Sequence, residues 1–73
     1  MRFWAGARRA AGHAEEATQA PTLAALRDEL AARPDLAAIV AASSFLVDGL
    51  AVADDAPLPP SATIDVLPPF AGG

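Results

Sequence analysis

Residues 63–73 have the sequence TIDVLPPFAGG and carry the clearest information on the fold. The first five residues alternate in polarity, which predicts a strand with Ile64 and Val66 on one face. Two prolines follow, and proline has no backbone N–H to donate to a neighbouring strand. The chain is therefore expected to leave the sheet there in an extended form and to taper to Gly72-Gly73, which have no side chains.

The opening residues 1–5 (MRFWA) predict another strand. Alternation places Phe3 on one face, where we expect it in the core. Arg2 and Trp4 fall on the other face, where Trp4 becomes a candidate hydrophobic docking group. Residues 6–12 carry two arginines and show no clear period, which favours a turn or a loose helical hairpin.

A helix is predicted to begin after Thr22, whose hydroxyl suits an N-cap. Leucines recur at helical spacing behind it, at Leu23, Leu26 and Leu30. Pro34 is expected to end this helix. A second short helix is predicted over residues 35–42, with Leu36, Ile39 and Val40 on one face.

Three further segments are strand candidates. Residues 14–20 (AEEATQA) are a weak one, because alanine and glutamate are poor strand formers. Residues 44–47 (SFLV) are a strong one, and Asp48-Gly49 is a typical two-residue hairpin turn. Residues 50–53 are predicted to return as the partner strand, and residues 54–60 form a proline-rich loop.

This order of elements predicts an α+β fold of the β-grasp (ubiquitin-like) type. The expected sheet is mixed, with about four to five strands and one main helix packed across it, and both the first and the last strand are apolar enough to be central. The expected domain covers residues 1–67, followed by an extended C-terminal tail over residues 68–73. A small helical bundle is the alternative, because alanine is abundant in the middle of the chain.

Composition excludes several classes of function. The 73 residues suit one domain. Without cysteine there is no disulfide or thiolate metal site, and the single histidine, His13, argues against a metal centre and against an enzyme acting alone. A net charge of −4 without a basic stripe disfavours nucleic acid and membrane surfaces as partners. No export signal or membrane span is recognisable, so we expect a cytoplasmic protein.

The combination of a β-grasp pattern, a Pro-Pro-aromatic exit and a Gly-Gly end resembles the ubiquitin-like sulfur carriers of the MoaD/ThiS family. It is most similar to the small subunit of molybdopterin synthase. The tail is the specific part of the resemblance. The segments that support it are Phe3-Trp4-Ala5 with Arg8, residues 22–27, Val47-Asp48-Gly49 and residues 55–58.

The resemblance implies a chemistry for the tail. In this family an activating enzyme uses ATP to adenylate the C-terminal carboxylate, and a sulfur donor then displaces AMP to leave a thiocarboxylate. By this resemblance Gly73 carries the sulfur, and Gly72, Ala71, Phe70 and Pro69 form the partner-binding tail. The implied partners are the activating enzyme and the large subunit of molybdopterin synthase, which delivers sulfur to a pterin precursor. No bound cofactor is implied.

Other functions remain open from the sequence. A sulfur carrier for thiamine thiazole or cysteine synthesis would use the same chemistry with another acceptor. A ubiquitin-like modifier would instead join Gly73 to lysine side chains of other proteins. A plain interaction domain would leave the tail idle, and deletion of Gly73 would then change nothing.

Overall fold

The sheet is organised around β3 (Ile64–Leu67), which has a hydrogen-bonded neighbour on each side. In the computed structural model, which describes residues 1–69, β1 (Arg2–Phe3) pairs with β3 in parallel and β2 (Ser44–Val47) pairs with it antiparallel. The order is β1-β3-β2. The predicted α+β fold with a mixed sheet is confirmed.

The first strand is shorter than predicted and lies at the edge of the sheet. The strand expected over residues 1–5 covers Arg2–Phe3, and only β3 is central. The backbone N–H of Trp4 still donates to the Val66 carbonyl, at 3.2 Å. The next residue, Ala5, has a φ of 47°, which turns the chain out of the strand and into a helix.

That helix, α1 (Ala5–Ala11), occupies the segment where a turn or a loose helical hairpin was expected. Alanine is the best helix former, and this propensity outweighs the missing apolar period. Gly12 ends the helix with a φ of 84°, and its N–H donates to the Arg8 carbonyl. A left-handed residue at this position is a common helix stop, and glycine adopts it without a steric penalty.

Two further helices contribute side chains to the core on one face of the sheet. The predicted main helix is confirmed as α2 (Leu23–Ala31), and the second as the shorter α3 (Ala37–Ala42). The leucines at helical spacing are buried, as are apolar side chains from all three strands. The core consists of Phe3, Ala7, Leu23, Leu26, Leu30, Leu36, Val40, Phe45, Val47, Leu58, Ile64 and Val66.

Two predicted strands do not form, so the described part of the chain has a three-stranded sheet rather than one of four to five strands. Residues 14–20 make a single bridge to β1, between Glu15 and Arg2. Residues 50–53 make one bridge, between Leu50 and Val47. Residues 14–20 are rich in alanine and glutamate, and two of residues 50–53 are alanine. Both residue types are poor strand formers, and this low propensity explains why neither ladder extends.

The predicted turn at Asp48-Gly49 is confirmed. Its two residues have φ values of 50° and 82°, the positive values that a type I′ hairpin turn requires. Asp48 also ties the turn to the start of β3. Its N–H donates to the Thr63 carbonyl at 2.7 Å, and its carboxylate accepts from the Thr63 N–H at 2.9 Å.

Within residues 1–69, none of the helices has the length and apolar character that crossing a membrane requires. The boundary proposed between residues 67 and 68 stays a prediction. β3 ends at Leu67, but most of the proposed tail, residues 70–73, lies outside the described residues.

The cap of α2 allows a test of the helix. The Thr22 hydroxyl accepts a hydrogen bond from the Ala25 N–H at 3.2 Å. We expect Thr22→Ala to lower the free energy of unfolding by about 1 kcal/mol, because an N–H at the helix start loses its partner. In a domain of this size that is a fall of about 4–8 °C in melting temperature. Thr22→Ser keeps the oxygen and serves as the control, and an equal loss in both variants would contradict the cap.

Candidate functional site

The chain leaves the sheet at the end of β3. Leu67 makes the last pair of the ladder, opposite Ser44, and Pro68 and Pro69 follow. Neither proline can donate a backbone hydrogen bond, so the pairing ends where the sequence predicted. Pro68 is half-buried and Pro69 is exposed. The tail therefore starts from the solvent-accessible end of the central strand.

Alternation along the three strands separates the two faces of the sheet. Phe3, Val66 and Phe45 lie in register and are all buried against the helices. The preceding register row contains Arg2, Asp65 and Leu46, whose side chains lie on the opposite face because neighbouring strand residues point in opposite directions. The three helices bury side chains in the core on the first face, and we call the second face the open face.

Trp4 lies beside the open face at the end of β3 from which the tail departs. Its side chain is 46% exposed, although Trp is among the residue types that contribute most to a core. The prediction that Trp4 points away from the core is confirmed, as is the core position of Phe3, which is 2% exposed. An exposed indole next to the exit of the tail is suited to contact a partner that receives the tail.

Asp65 is the residue of this site that sequence reasoning missed. It lies in the middle of the central strand and is only 7% exposed. Its carboxylate accepts hydrogen bonds from Arg2 Nε at 2.7 Å, Arg2 Nη2 at 3.1 Å and Trp4 Nε1 at 2.9 Å. The signal in the sequence was an acidic residue between two β-branched apolar residues, with an arginine at the matching position of the first strand.

Ion pairs with arginine lower the pKa of two acidic groups, Asp65 at this site and Glu16 outside it. The pKa of Asp65 lies below the ordinary value of 3.8, chiefly because Arg2 hydrogen-bonds the charged carboxylate, with Trp4 adding to the effect against the cost of burial. The pKa of Glu16 is lowered in the same way by Arg33, whose Nη1 lies 2.7 Å from Glu16 Oε1. The Glu16–Arg33 ion pair joins the segment after α1 to the turn that follows α2.

The predicted tail residues are only partly within the described chain. Pro69 is exposed directly after Pro68. Phe70, Ala71, Gly72 and Gly73 lie outside the described residues, so their predicted roles stay predictions. Within residues 1–69, no three His, Asp or Glu side chains are grouped so that they could hold a metal ion.

Comparison with known proteins places this geometry in context. The model of the ThiS family matches residues 1–73, which is the whole chain and includes the Gly-Gly end. A search of curated proteins found no match.

The lowered pKa of Asp65 predicts how stability depends on pH. A carboxyl group whose pKa is lower in the folded than in the unfolded state stabilises the fold above the unfolded value, and this contribution is lost as pH falls through the folded value. We expect Asp65→Asn to be less stable than wild type at neutral pH. The difference in free energy of unfolding should shrink as the pH falls below 3.8, the ordinary pKa of aspartate.

Urea unfolding at a series of pH values measures this difference. Arg2→Met is the matched variant, because it removes the main cause of the lowered pKa and keeps the carboxylate. It should weaken the same pH dependence. A difference between wild type and Asp65→Asn that stays constant down to acid pH would contradict the assignment.

Proposed function

The chain belongs to the ThiS family of ubiquitin-like β-grasp sulfur carriers, and on this premise we propose that it carries sulfur as a thiocarboxylate on Gly73. We further propose that it donates this sulfur to a pterin precursor in molybdopterin biosynthesis, as part of the molybdenum cofactor pathway. The observation that carries the sulfur-carrier proposal is the family match, which runs through the Gly-Gly end.

The chemistry requires that Gly73 is the C-terminal residue of the working protein, which is part of the proposal. A carboxylate is a poor electrophile, so a carboxylate oxygen first attacks the α-phosphorus of ATP and pyrophosphate leaves. A sulfur nucleophile such as sulfide then attacks the carbonyl carbon, a C–S bond forms and AMP leaves with the original oxygen. The product is a thiocarboxylate that keeps one of the two original oxygens, and the protein supplies only its terminal carboxylate and access to it.

The side chains of the tail support this role. A narrow cleft around a nucleotide excludes side chains near the reacting carbon, and glycine alone brings no Cβ there. Gly72 gives that access, and Ala71 adds one methyl group. Phe70 and Pro69 precede them and are proposed to bind the partner. This division separates the reacting end of the tail from the part that holds it.

Two features favour molybdopterin synthesis over the other acceptors. Pro68-Pro69 follow the central strand directly, and carriers for thiazole synthesis tend to lack this step. Trp4 is exposed at the same end of β3 and offers an aromatic contact to a large subunit. ThiS-family carriers work with activating enzymes and synthase subunits in general, and here we propose the molybdopterin synthase large subunit as the acceptor.

A direct experiment tests the function in two stages. The purified protein is incubated with a candidate adenylating enzyme from the same genome, magnesium-ATP and sulfide. Intact mass should rise by the exchange of one oxygen for sulfur, and only with ATP present. The loaded protein is then offered to the molybdopterin synthase large subunit with pterin precursor, and in parallel to a thiazole synthase.

Each outcome assigns a function. Turnover with the large subunit alone supports the molybdopterin proposal, and turnover with the thiazole synthase alone replaces it with the thiazole pathway. Adducts on lysines of other proteins, in place of a free thiocarboxylate, would indicate a protein modifier. A mass that never changes would show that the tail is not activated.

The position of Gly73 should be critical. Deleting it moves the reacting carbon by roughly 3.3–3.6 Å. A displacement of about 1 Å can already cost about 10²-fold in rate. We therefore expect thiocarboxylate formation to fall by at least about 10²-fold in the deletion. Adding one glycine after Gly73 should lower the rate similarly, because it displaces the reacting carbon by the same length in the opposite direction. Gly72→Val should be nearly as damaging, because its branched side chain obstructs the cleft.

Thermal melting is the control for these variants. β3 ends at Leu67, so the altered residues follow the last strand of the sheet and melting should hardly change. If the Gly73 deletion accumulates thiocarboxylate at the normal rate, the sulfur-carrier role of this residue is wrong.

Truncation of the proposed aromatic contacts should weaken binding of the large subunit. Central aromatic anchors often contribute about 2 kcal/mol or more on truncation, which is roughly a 30-fold rise in Kd. We expect Trp4→Ala and Phe70→Ala each to approach this loss in a calorimetric titration. Leu50→Ala is the control, because Leu50 is 68% exposed but lies at the opposite end of β3, next to Val47. An unchanged Kd for one aromatic variant would remove that residue from the interface.

A further inference from the structure

Asp65 occupies a costly position on the central strand. Aspartate is disfavoured in strands, and burying a carboxylate is unfavourable unless hydrogen bonds compensate. Asp65 is 7% exposed, with strands on both sides. A β-branched apolar residue would suit the strand better, because it needs no partner. The fold alone therefore does not require a carboxylate here.

Besides its ion-pair partner Arg2, Asp65 has one further side-chain hydrogen-bond partner, Trp4. Asp65 Oδ1 accepts from Trp4 Nε1 at 2.9 Å, which fixes the N–H edge of the indole. The guanidinium of Arg2, held by the same carboxylate, lies 5.6 Å from the centre of the Trp4 ring. The backbone of Trp4 is also fixed, since its N–H donates to the Val66 carbonyl.

The indole is thus held at its edge and on its face while 46% of the side chain stays exposed. A free surface tryptophan would sample several rotamers and lose that freedom on binding. Holding it in one rotamer beforehand removes this entropic cost from the binding step. An exposed aromatic side chain with fixed orientation is a feature of a prepared contact rather than of a core.

We propose that Asp65 is a positioning residue that holds the indole of Trp4 in its docking orientation for the large subunit that receives the tail. This inference rests on the proposed function, because it assigns Trp4 to the surface that meets the partner. Asp65 itself is only 7% exposed, so it offers a partner little surface of its own. It acts through Trp4, directly by its hydrogen bond and indirectly through Arg2.

The first test needs no partner. Trp4 is the only tryptophan of the chain, so its fluorescence reports on this side chain alone. Asp65→Val introduces a good strand former without an acceptor. We expect its fluorescence anisotropy to fall below that of wild type while circular dichroism is unchanged. Wild-type anisotropy in a folded Asp65→Val protein would overturn the proposal.

A conservative variant keeps the test decisive if Asp65→Val does not fold. Asp65→Asn keeps the size and one acceptor oxygen, but its NH₂ group faces the donors of Arg2 and Trp4. Its anisotropy should therefore lie below that of wild type, and above that of Asp65→Val where both fold. Wild-type anisotropy in Asp65→Asn would count against the proposal.

The second test is a double-mutant cycle on binding of the large subunit, measured by calorimetric titration. For Asp65→Val we expect the Kd to rise by roughly tenfold, the upper range for the freezing of one side chain. Trp4→Phe keeps an aromatic ring but has no N–H for Asp65 to hold. Adding Asp65→Val to Trp4→Phe should then change the Kd little further.

The cycle separates positioning from a merely structural role. If Asp65→Val raises the Kd for the large subunit by the same factor in the wild-type and the Trp4→Phe backgrounds, Asp65 does not act through Trp4 and the proposal is overturned. If wild-type protein forms no thiocarboxylate with any candidate enzyme, the proposed function fails instead. The anisotropy comparison still decides in that case whether Asp65 holds Trp4.

Discussion

The pairing of β3 on both of its edges is the interaction on which the rest of the structure depends. β3 joins the first strand of the chain to the strand that follows the helices, so neither outer strand has a sheet without it. One face of β3 contributes Ile64 and Val66 to the core. The other carries Asp65, and the end of the strand releases the tail. The four residues of β3 therefore contribute to the core, to the open face and to the point at which the tail leaves the sheet.

The strongest sequence signals were those with a local physical cause. The hydroxyl of Thr22 and the leucines behind it predicted α2, because capping and helical spacing act within a few residues. Residues 44–47 and the Asp48-Gly49 turn were correct for the same reason. Prolines after Leu67 predicted the end of the ladder, since a missing N–H is independent of context.

The errors concern segments whose state depends on distant partners. Residues 14–20 were assigned to a strand by their place in the expected fold and residues 50–53 as the return from the turn before them, and each makes only one bridge. α1 is the exception, because its causes are local: the propensity of its alanines and the stop at Gly12 form a helix without an apolar period. Asp65 was missed because its role depends on hydrogen bonds from Arg2 and Trp4. Only the parallel pairing of β1 brings these two residues beside it.

The parallel pairing of β1 also governs how the chain folds. Arg2 and Asp65 are 63 positions apart, and nearly all of the described chain lies between them. A loop of this length must close before the pair gains any energy, and non-local pairings of this kind slow folding. The helices can form early, but β1 can pair only after β3 has been synthesised. We therefore expect folding to be slower than that of a helical protein of equal length, and the exposed indole of Trp4 to become ordered only when the sheet closes.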